Sequence, residues 1–494
     1  MKINTIHYLL AAAMLVGTPL YAGEPPAESE GFLDTAFGWL PYILPDAHTS
    51  ALHDTMHPHE QHARRYPGVP THEALLERSY KPRYTAGGWE FLPASPQRFM
   101  PYLDSLFVPG NTALEPSPWI EQDAISDSAQ HIKSRLSRYG LQYSLTLSAG
   151  YAGITPASDG GKNHFGSTNN SLSGVWYLLK KSDNSQGLFL TFEADWGQGF
   201  NFNERKAGVQ KSIGSVSNPQ ASLRGGNGVY IPHLALGYSL ANGKWVGMVG
   251  TIDTSSYLDQ NAYSASWNGN LMNSAFTANP CLPLEWANFG FLTAWQPCKS
   301  FYAMYATTGY EAGINQNPFR HMSSDAWVHL SEFGWVADDV LGMGPGTYRF
   351  QYTITHGDGD TGSGAAFNMQ QQLGKNSQLG FFARCGVMDT DAAALSNVKA
   401  AATAGLVLQA PFRDSGWGSL ANRDQLAVGF LWARAADSVS PLVNKNEYGV
   451  ELSAVIQVTP TFFIQPDVQY IFHPAGQTDR SGELVFQIQG VFKF

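Results

Sequence analysis

The chain has 494 residues, of which only 14% are charged and 13% are aromatic, and its formal net charge is −10 at pH 7. This acidic balance excludes nucleic acid as a partner, because phosphate binding needs concentrated Lys and Arg. After residue 22, no window of about 18 residues lacks charges and turn-forming residues, which excludes a helical inner-membrane protein.

The first 22 residues predict a secretory signal peptide. Lys2 precedes the apolar run Tyr8–Val16, and the segment ends on Leu20–Ala22 beside Gly23. The apolar run is shorter than the roughly 20 residues that a spanning helix needs. We therefore expect cleavage after Ala22 and export of the mature chain.

Residues 23–120 are rich in proline and histidine and predict an irregular periplasmic extension. His53 and His57 have the spacing of one helix face, and other histidines lie nearby. However, Pro58 interrupts any helix there, and no Cys or carboxylate pattern follows. No metal site and no cofactor are predicted.

The periodicity of the sequence changes from helical to strand-like near residue 140. Ile132 and Leu136 lie at helical spacing and predict a short amphipathic helix near 121–139, which leads into the first strand and stops at Gly140. In Leu141–Ser148 every odd position is apolar and every even position is polar, which is typical of a strand with two different faces. The same alternation recurs near residues 188–196, 348–354, 447–458, 462–472 and 484–494.

Alternation alone fits either a soluble sandwich or a membrane barrel, and three features favour the barrel. Aromatic side chains gather at strand ends, as at Tyr470 and Phe472. The connections are unequal, with a short turn at Asn242–Gly243 and a longer glycine-rich loop predicted over Gly357–Gly364. The final Phe494 resembles the recognition signature of bacterial outer-membrane proteins. Lipid-facing strands cannot leave backbone groups unpaired, so the barrel must close.

Three cysteines are too few for a secreted disulfide scaffold. Cys281 and Cys298 flank one loop-like stretch, and we expect a bridge that clips this loop. Cys385 lies in a strand-like run and is expected to pack as a small apolar residue.

Several motifs resemble those of the OprB-type carbohydrate-selective porins. Arg135–Leu141 is similar to the family's helix running into its first strand, and Leu379–Arg384 is similar to a later strand. Tyr257–Tyr263, followed by Leu271–Ser274 and Asn279–Pro280, resembles its mid-barrel signature. The most specific motif, Ile464–Pro474, is similar to the family's penultimate strand.

The resemblance implies an all-β fold: a transmembrane antiparallel barrel of sixteen strands over residues 121–494, with short periplasmic turns and long outer loops. It also implies passive diffusion of small carbohydrates across the outer membrane, with carbohydrate solutes and outer-membrane lipid as partners. The sequence leaves open whether the protein is a homotrimer or a monomer.

The polar face of the predicted strands supplies the candidate pore-lining residues. A pore acts through its diameter, charge and hydrogen-bonding groups, and a mixed lining suits neutral, hydroxyl-rich solutes. The predicted pore-lining residues are Gln142, Glu193, Asp195, Arg349, Arg384, Glu451, Gln465, Asp467, Gln469 and Lys493.

Two other functions remain open at this point. One is a general porin without sugar preference, and the other is a structural or adhesion barrel plugged by its own loops or by residues 23–120. No nucleophile-elbow spacing and no phosphate-binding glycine loop is present, so an enzyme is not predicted.

Overall fold

A computed structural model gives the architecture of the barrel region. Ile132 and Leu136 are helical in it, while the rest of the predicted helix, the signal peptide and the 23–120 extension lie outside the described residues. The structure describes residues 132, 136, 140–155, 163–180, 187–200, 208–219, 228–240, 244–264, 270–284, 288–298, 300–309, 326–357, 360–374, 377–409, 424–439, 445–459, 461–475 and 481–493.

Sixteen antiparallel strands form one closed barrel, which confirms the predicted fold class. Each strand pairs with its neighbours in sequence, and β1 closes the barrel against β16, with Thr146 opposite Lys493. The strands are β1 Leu141–Thr155, β2 His164–Lys180, β3 Gly187–Gly199, β4 Gly228–Leu240, β5 Trp245–Ile252, β6 Asn288–Cys298, β7 Phe301–Gly309, β8 Trp327–Ala337, β9 Gly346–Gly357, β10 Asp360–Gln372, β11 Leu379–Met388, β12 Val398–Gln409, β13 Gln425–Ala435, β14 Asn446–Gln457, β15 Phe462–Phe472 and β16 Gly482–Lys493.

The period of two in the sequence corresponds to an inward and an outward face of the wall. In β16, Glu483, Gln487 and Gln489 are buried on the inward face, whereas Phe486 and Ile488 are exposed on the outward face. Apolar side chains exposed in this regular way are expected where the surrounding medium is lipid. The alternation predicted from the sequence is therefore confirmed.

Aromatic side chains lie on the outward face at both ends of the barrel. At the end where β8 turns into β9, Trp335 stacks on Tyr348, with ring centroids 5.3 Å apart. At the other end, the ring centroids of Tyr470 and Phe472 are 4.4 Å apart. Such pairs suit the two interfaces of a bilayer, where amphipathic rings are favoured. Among the described residues, no helix has the length and hydropathy that a membrane crossing requires.

We call the end that carries the β8–β9 connection the turn end, and the opposite end the loop end. Three short helices follow strands at the loop end: α1 Val209–Ile213, α2 Ser274–Thr277 and α3 Thr390–Ser396. Two of them belong to stretches that fold inward. The inner segment (residues 253–264 and 270–284) joins β5 to β6, and the second segment (residues 208–219) precedes β4. Most residues of the inner segment and half of those in the second segment are buried, so the lumen is partly filled.

The predicted loop over Gly357–Gly364 is wrong. Asp360 already pairs with Gly357, so β9 and β10 meet in a tight hairpin, and Gly362 lies within β10. A Cβ atom on Gly362 would collide with the backbone of Ala392 in α3. The glycine therefore permits close packing rather than a flexible loop.

The predicted disulfide between Cys281 and Cys298 is also wrong, because both thiols are free. Cys298 ends β6 at the turn end and is exposed, whereas Cys281 is buried beside α3. The 11 residues of β6 separate the two ends of the barrel, a distance of roughly 35 Å at about 3.4 Å per residue. A disulfide needs Cα atoms within about 7 Å. Cys385 lies in β11, as expected of a strand residue, but on the exposed outward face.

Candidate functional site

Asp259 joins the inner segment to four strands of the wall. It is buried at φ +60°, a left-handed conformation that Asp adopts more readily than most residues. Its N–H donates to Glu332 Oε2 at 2.7 Å, and its carbonyl accepts from Asn368 Nδ2 and Arg384 Nη2, both at 2.9 Å. Its carboxylate accepts from Gln351 Nε2 at 3.0 Å and Asn368 Nδ2 at 2.7 Å. One residue thus contacts β8, β9, β10 and β11.

Arg384 binds the inner segment through its guanidinium group. Its Nε lies 2.9 Å from Asp259 Oδ2 in an ion pair with both side chains about 1% exposed. Its Nη1 donates to the Ser264 carbonyl at 3.0 Å and also to the Phe276 carbonyl. A guanidinium buried in this way is stable only while its donors and charge are matched. The segment and the arginine therefore stabilise each other.

A second buried chain of contacts runs beside the first. Tyr302 donates to Glu332 Oε1 at 2.7 Å and accepts from Arg349 Nε at 2.9 Å. The Arg349 Nη2 group donates to Gln370 Oε1 at 3.3 Å, and the same oxygen accepts from the Ala262 N–H at 2.8 Å. Arg349 is therefore linked to the inner segment through Gln370.

Two strands on the other side hold the second half of the inner segment. Glu451 accepts from the backbone N–H groups of Met272 and Asn273, the latter at 3.1 Å. Gln465 Nε2 donates to the Asn270 carbonyl at 3.0 Å. Asp467 accepts from Gln469 Nε2 at 2.8 Å. Side chains from β14 and β15 therefore provide the hydrogen-bond partners that regular secondary structure would otherwise supply to this irregular backbone.

Glu447 holds the second segment. Its carboxylate accepts from the hydroxyls of Ser215 at 2.7 Å and Ser217 at 2.6 Å, and from the N–H groups of Val216 at 2.9 Å and Ser217 at 3.1 Å. It also accepts from the N–H of Ala475, which follows β15, at 3.1 Å. The two segments touch each other where the Ser274 N–H donates to the Asn218 carbonyl at 2.9 Å.

The wall opposite these anchors is apolar. We call the inward face of β4–β7 the apolar sector, and the inward faces of β8–β11 and β14–β16 the polar sector. Leu258 of the inner segment is buried in a cluster with Met248, Leu292 and Met304 of the apolar sector. Among the few polar contacts here, Tyr257 Oη lies 2.8 Å from His233 Nε2. This side of the lumen contacts the inner segment mainly through apolar packing, which has no preferred direction.

Glycines in the wall give space to aromatic rings of the inner segment. A Cβ atom on Gly429 would lie 2.7 Å from Phe276 Cε1, and one on Gly380 would overlap the ring of Tyr263. Both rings are buried. At these two positions a larger residue would force the segment away from the wall.

The predicted pore-lining residues lie on the inward face, but the structure separates them into two groups. Arg384, Glu451 and Gln465 bond directly to the inner segment, as described above. Gln469 Nε2 bonds to the Pro219 carbonyl of the second segment at 3.1 Å. Among the others, only Gln142 and Glu193 keep partial exposure; Arg349, Asp195, Asp467 and Lys493 are buried.

The sequence reasoning missed Asp259, Glu332 and Glu447 as anchors of the lumen. Asp259 lies within the Tyr257–Tyr263 motif, so the family resemblance pointed to this stretch but not to the residues that Asp259 contacts. Glu332 and Glu447 occupy polar positions of alternating strands and have no further signal in the sequence. Their role is visible only through contacts made across the lumen.

Comparison with known families identifies the fold and its function. A family model described as the carbohydrate-selective porins of the OprB family matches residues 137–494, which is more than half of the chain. The chain belongs to the OprB family of carbohydrate-selective porins.

One solved structure in particular supports the fold of this OprB-family porin. The high-pH structure of Pseudomonas putida OprB matches with a TM-score of 0.59 and 16% identity, covering 76% of this chain and 99% of that chain. The low-pH structure of the same protein gives a TM-score of 0.45 at 15% identity over the same shares, 76% and 99%. A triple mutant of the Rhodopseudomonas blastica porin gives 0.45 at 12% identity, covering 72% and 100%. No curated protein sequence matches significantly.

Family membership and the closed barrel together establish the function at the level of its class. This OprB-family protein is an outer-membrane porin through which small carbohydrates pass. It is a channel, and the predicted family, fold and function are confirmed.

Proposed function

We propose that sugars cross this porin along the β1–β3 side of the lumen. The single observation that carries the proposal is a difference in exposure on the inward face. Gln142, Thr146, Ser171 and Glu193 of β1–β3 keep part of their surface exposed. The inward polar side chains of the polar sector are buried. A solute can exchange hydrogen bonds only with groups that water also reaches.

The exposed groups offer the chemistry that a neutral sugar needs. Ser171 donates to Glu193 Oε1 at 3.0 Å, which orients this carboxylate on the lumen side of β3. Gln142 adds an amide with both donor and acceptor atoms. In this proposal Gln142 and Glu193 contact the solute. Arg384, Glu451, Gln465 and Gln469 hold the two segments that narrow the passage.

Substituted-cysteine labelling tests this path. In a background with Cys298 and Cys385 replaced by Ser, Gln142→Cys and Glu193→Cys are expected to react with a charged thiol reagent and to lose conductance in planar bilayers. Gln465→Cys, beneath the inner segment, is the matched control and should remain unaffected. Sugar-dependent block of the current would be measured on the same channels. Unchanged current after labelling of both test positions would contradict the proposed path.

We also propose that β1–β3 form the contact between copies in a homotrimer. Their outward face carries Thr168, Asn170 and Gln198, whereas outward positions of β14–β16 are apolar over most of their length. Polar side chains facing hydrocarbon are unfavourable, and a protein neighbour can satisfy them. Native mass spectrometry of the wild type should show trimers, and Asn170→Leu should reduce them. A wild type that stays monomeric in mild detergent would contradict this contact.

A further inference from the structure

Two histidines face each other on the outside of the barrel. His329 of β8 and His356 of β9 lie on the outward face near the loop end, and both are partly exposed. Their ring centroids are 5.4 Å apart, and the ring planes are inclined by 79°. Neither residue belongs to the lumen network, so the sugar passage gives no reason for the pair.

The hydrogen bonds of the two rings fix which edges face each other. His329 Nδ1 lies 2.8 Å from Tyr305 Oη on β7, and His356 Nδ1 lies 3.1 Å from Thr361 Oγ1 on β10. The strand order β7, β8, β9, β10 places these two hydroxyls on opposite sides of the pair. In an imidazole Nδ1 and Nε2 both flank Cε1 and point in widely different directions, so each Nε2 points away from the hydroxyl partner of its own ring. None of the described hydrogen bonds uses either Nε2.

We propose that His329 and His356 bind a divalent transition metal ion, of which Zn²⁺ is the type case, through their Nε2 atoms. With Zn–N distances of about 2.0 Å, about 1.1 Å from nitrogen to ring centre and a tetrahedral angle, two ligating rings have centroids about 5.1 Å apart. The observed separation of 5.4 Å is close to this value.

The hydroxyl partners complete the pattern of a metal-binding imidazole. A ligating histidine usually donates its other ring N–H to an oxygen, which fixes the tautomer and leaves the lone pair on the metal side. Tyr305 and Thr361 provide these oxygens for His329 and His356. Among the described residues no third His, Cys, Asp or Glu joins the group. Water or an anionic group at the membrane surface therefore fills the remaining positions.

The chain contains its own control for this arrangement. His164 of β2 is also outward, lies near the loop end, and has its Nδ1 2.5 Å from Tyr151 Oη. The two rings are stacked, with centroids 5.9 Å apart. Like His329, His164 thus has a tyrosine partner, but no second histidine pairs with it among the described residues. It should not hold the ion.

Residue-resolved chemical modification tests the site in the full-length folded protein. Diethyl pyrocarbonate acylates accessible imidazoles, and mass spectrometry reads each histidine separately, so zinc bound by histidines of the 23–120 extension does not interfere. We expect Zn²⁺ to protect His329 and His356 and to leave His164 unchanged. Equal modification of His329 and His356 with and without Zn²⁺ would overturn the proposal.

Three variants separate metal binding from simple ring packing. His329→Ala should abolish the protection of His356, and His164→Ala should leave the protection of the pair intact. Tyr305→Phe keeps the stacked ring but removes the oxygen, so the zinc concentration needed for protection should rise by roughly 10-fold. Protection of His356 that persists in His329→Ala would show that the two residues do not share an ion.

Discussion

The two sectors of the lumen wall hold the same inner segment by different forces. The apolar sector contacts it through side chains such as Leu258, Met248 and Met304, which bury surface without fixing a direction. The polar sector binds it through charged and amide groups centred on Asp259 and Arg384. The comparison suggests that the apolar sector supplies much of the stability, whereas the polar sector sets the position of the segment and thus the width of the passage.

Removing the Asp259 carboxylate should have the largest effect. Asp259→Ala leaves Arg384 buried without its counter-charge, which costs about 3–5 kcal/mol for a broken buried pair. Because the anchor is lost, the inner segment should move and single-channel conductance should rise. Urea unfolding in detergent and planar-bilayer recording measure the two effects.

Asp259→Asn is the matched control for this prediction. It retains an amide oxygen as acceptor and tolerates the positive φ, so both effects should be smaller. If Asp259→Ala loses stability while conductance and the size limit for sugars stay unchanged, the polar sector does not position the segment.

Weakening the apolar sector should lower stability without changing the passage. Leu258→Ala removes a buried side chain from the cluster with Met248, and such truncations cost about 2–5 kcal/mol. The anchors at Asp259 and Glu451 remain, so conductance should stay near the wild-type value. A large rise in conductance would mean that packing also determines position.

Releasing the second segment should change conductance more than stability, which is the opposite of the result expected for Leu258→Ala. Glu447→Ala removes the acceptor shared by Ser215, Val216, Ser217 and Ala475. Unsatisfied donors cost about 1–3 kcal/mol when they stay buried, but this segment can move into water and recover part of that cost. We therefore expect modest destabilisation and a clear increase in conductance. Glu447→Gln, which keeps one acceptor oxygen, should lie between Ala and the wild type.

The smallest effect is expected outside the lumen, at an exposed ion cluster on the loop end. Asp437 is exposed and accepts from Lys445 and Lys399, and these hydrogen bonds lower its pKa from 3.8 to about 2. The ionised carboxylate therefore stabilises the fold above about pH 4, and this contribution is lost as the pH falls through about 2. Amide protection factors near Asp437, taken relative to the intrinsic exchange rate at each pH, should therefore fall between about pH 4 and 2. Asp437→Asn should remove that pH dependence, and salt should weaken it.

The strands could be predicted from the sequence because their signal is local. In β1, β15 and β16, residues two positions apart face the same side of the wall, so the sequence alternates between inward and outward positions. This alternation is regular because the outward positions face lipid and the inward positions face polar groups. The family motif Ile464–Pro474 lies on β15 and its end, where the alternation is equally clear.

The anchors could not be predicted because their partners are distant in sequence. Asp259 and Glu332 are 73 residues apart, and Met272 and Glu451 are 179 apart. No periodicity encodes such pairs. The Cys281–Cys298 expectation failed for a different reason: the two residues are close along the chain, but β6 runs between them and separates them in space. Gly362 shows that a glycine can signal close packing as well as a loop.

The long sequence separations also dictate an order of assembly. Ser215 bonds to Glu447 across 232 residues, so the second segment cannot settle before β14 exists. Closing such large loops is entropically costly and slow, and contacts of high sequence separation form late. The β1–β16 seam joins Thr146 to Lys493 across a still larger sequence separation. Barrel closure and the docking of the second segment are therefore both late steps. A molecule whose seam has closed before Glu447 is bonded should pass larger solutes than a mature one.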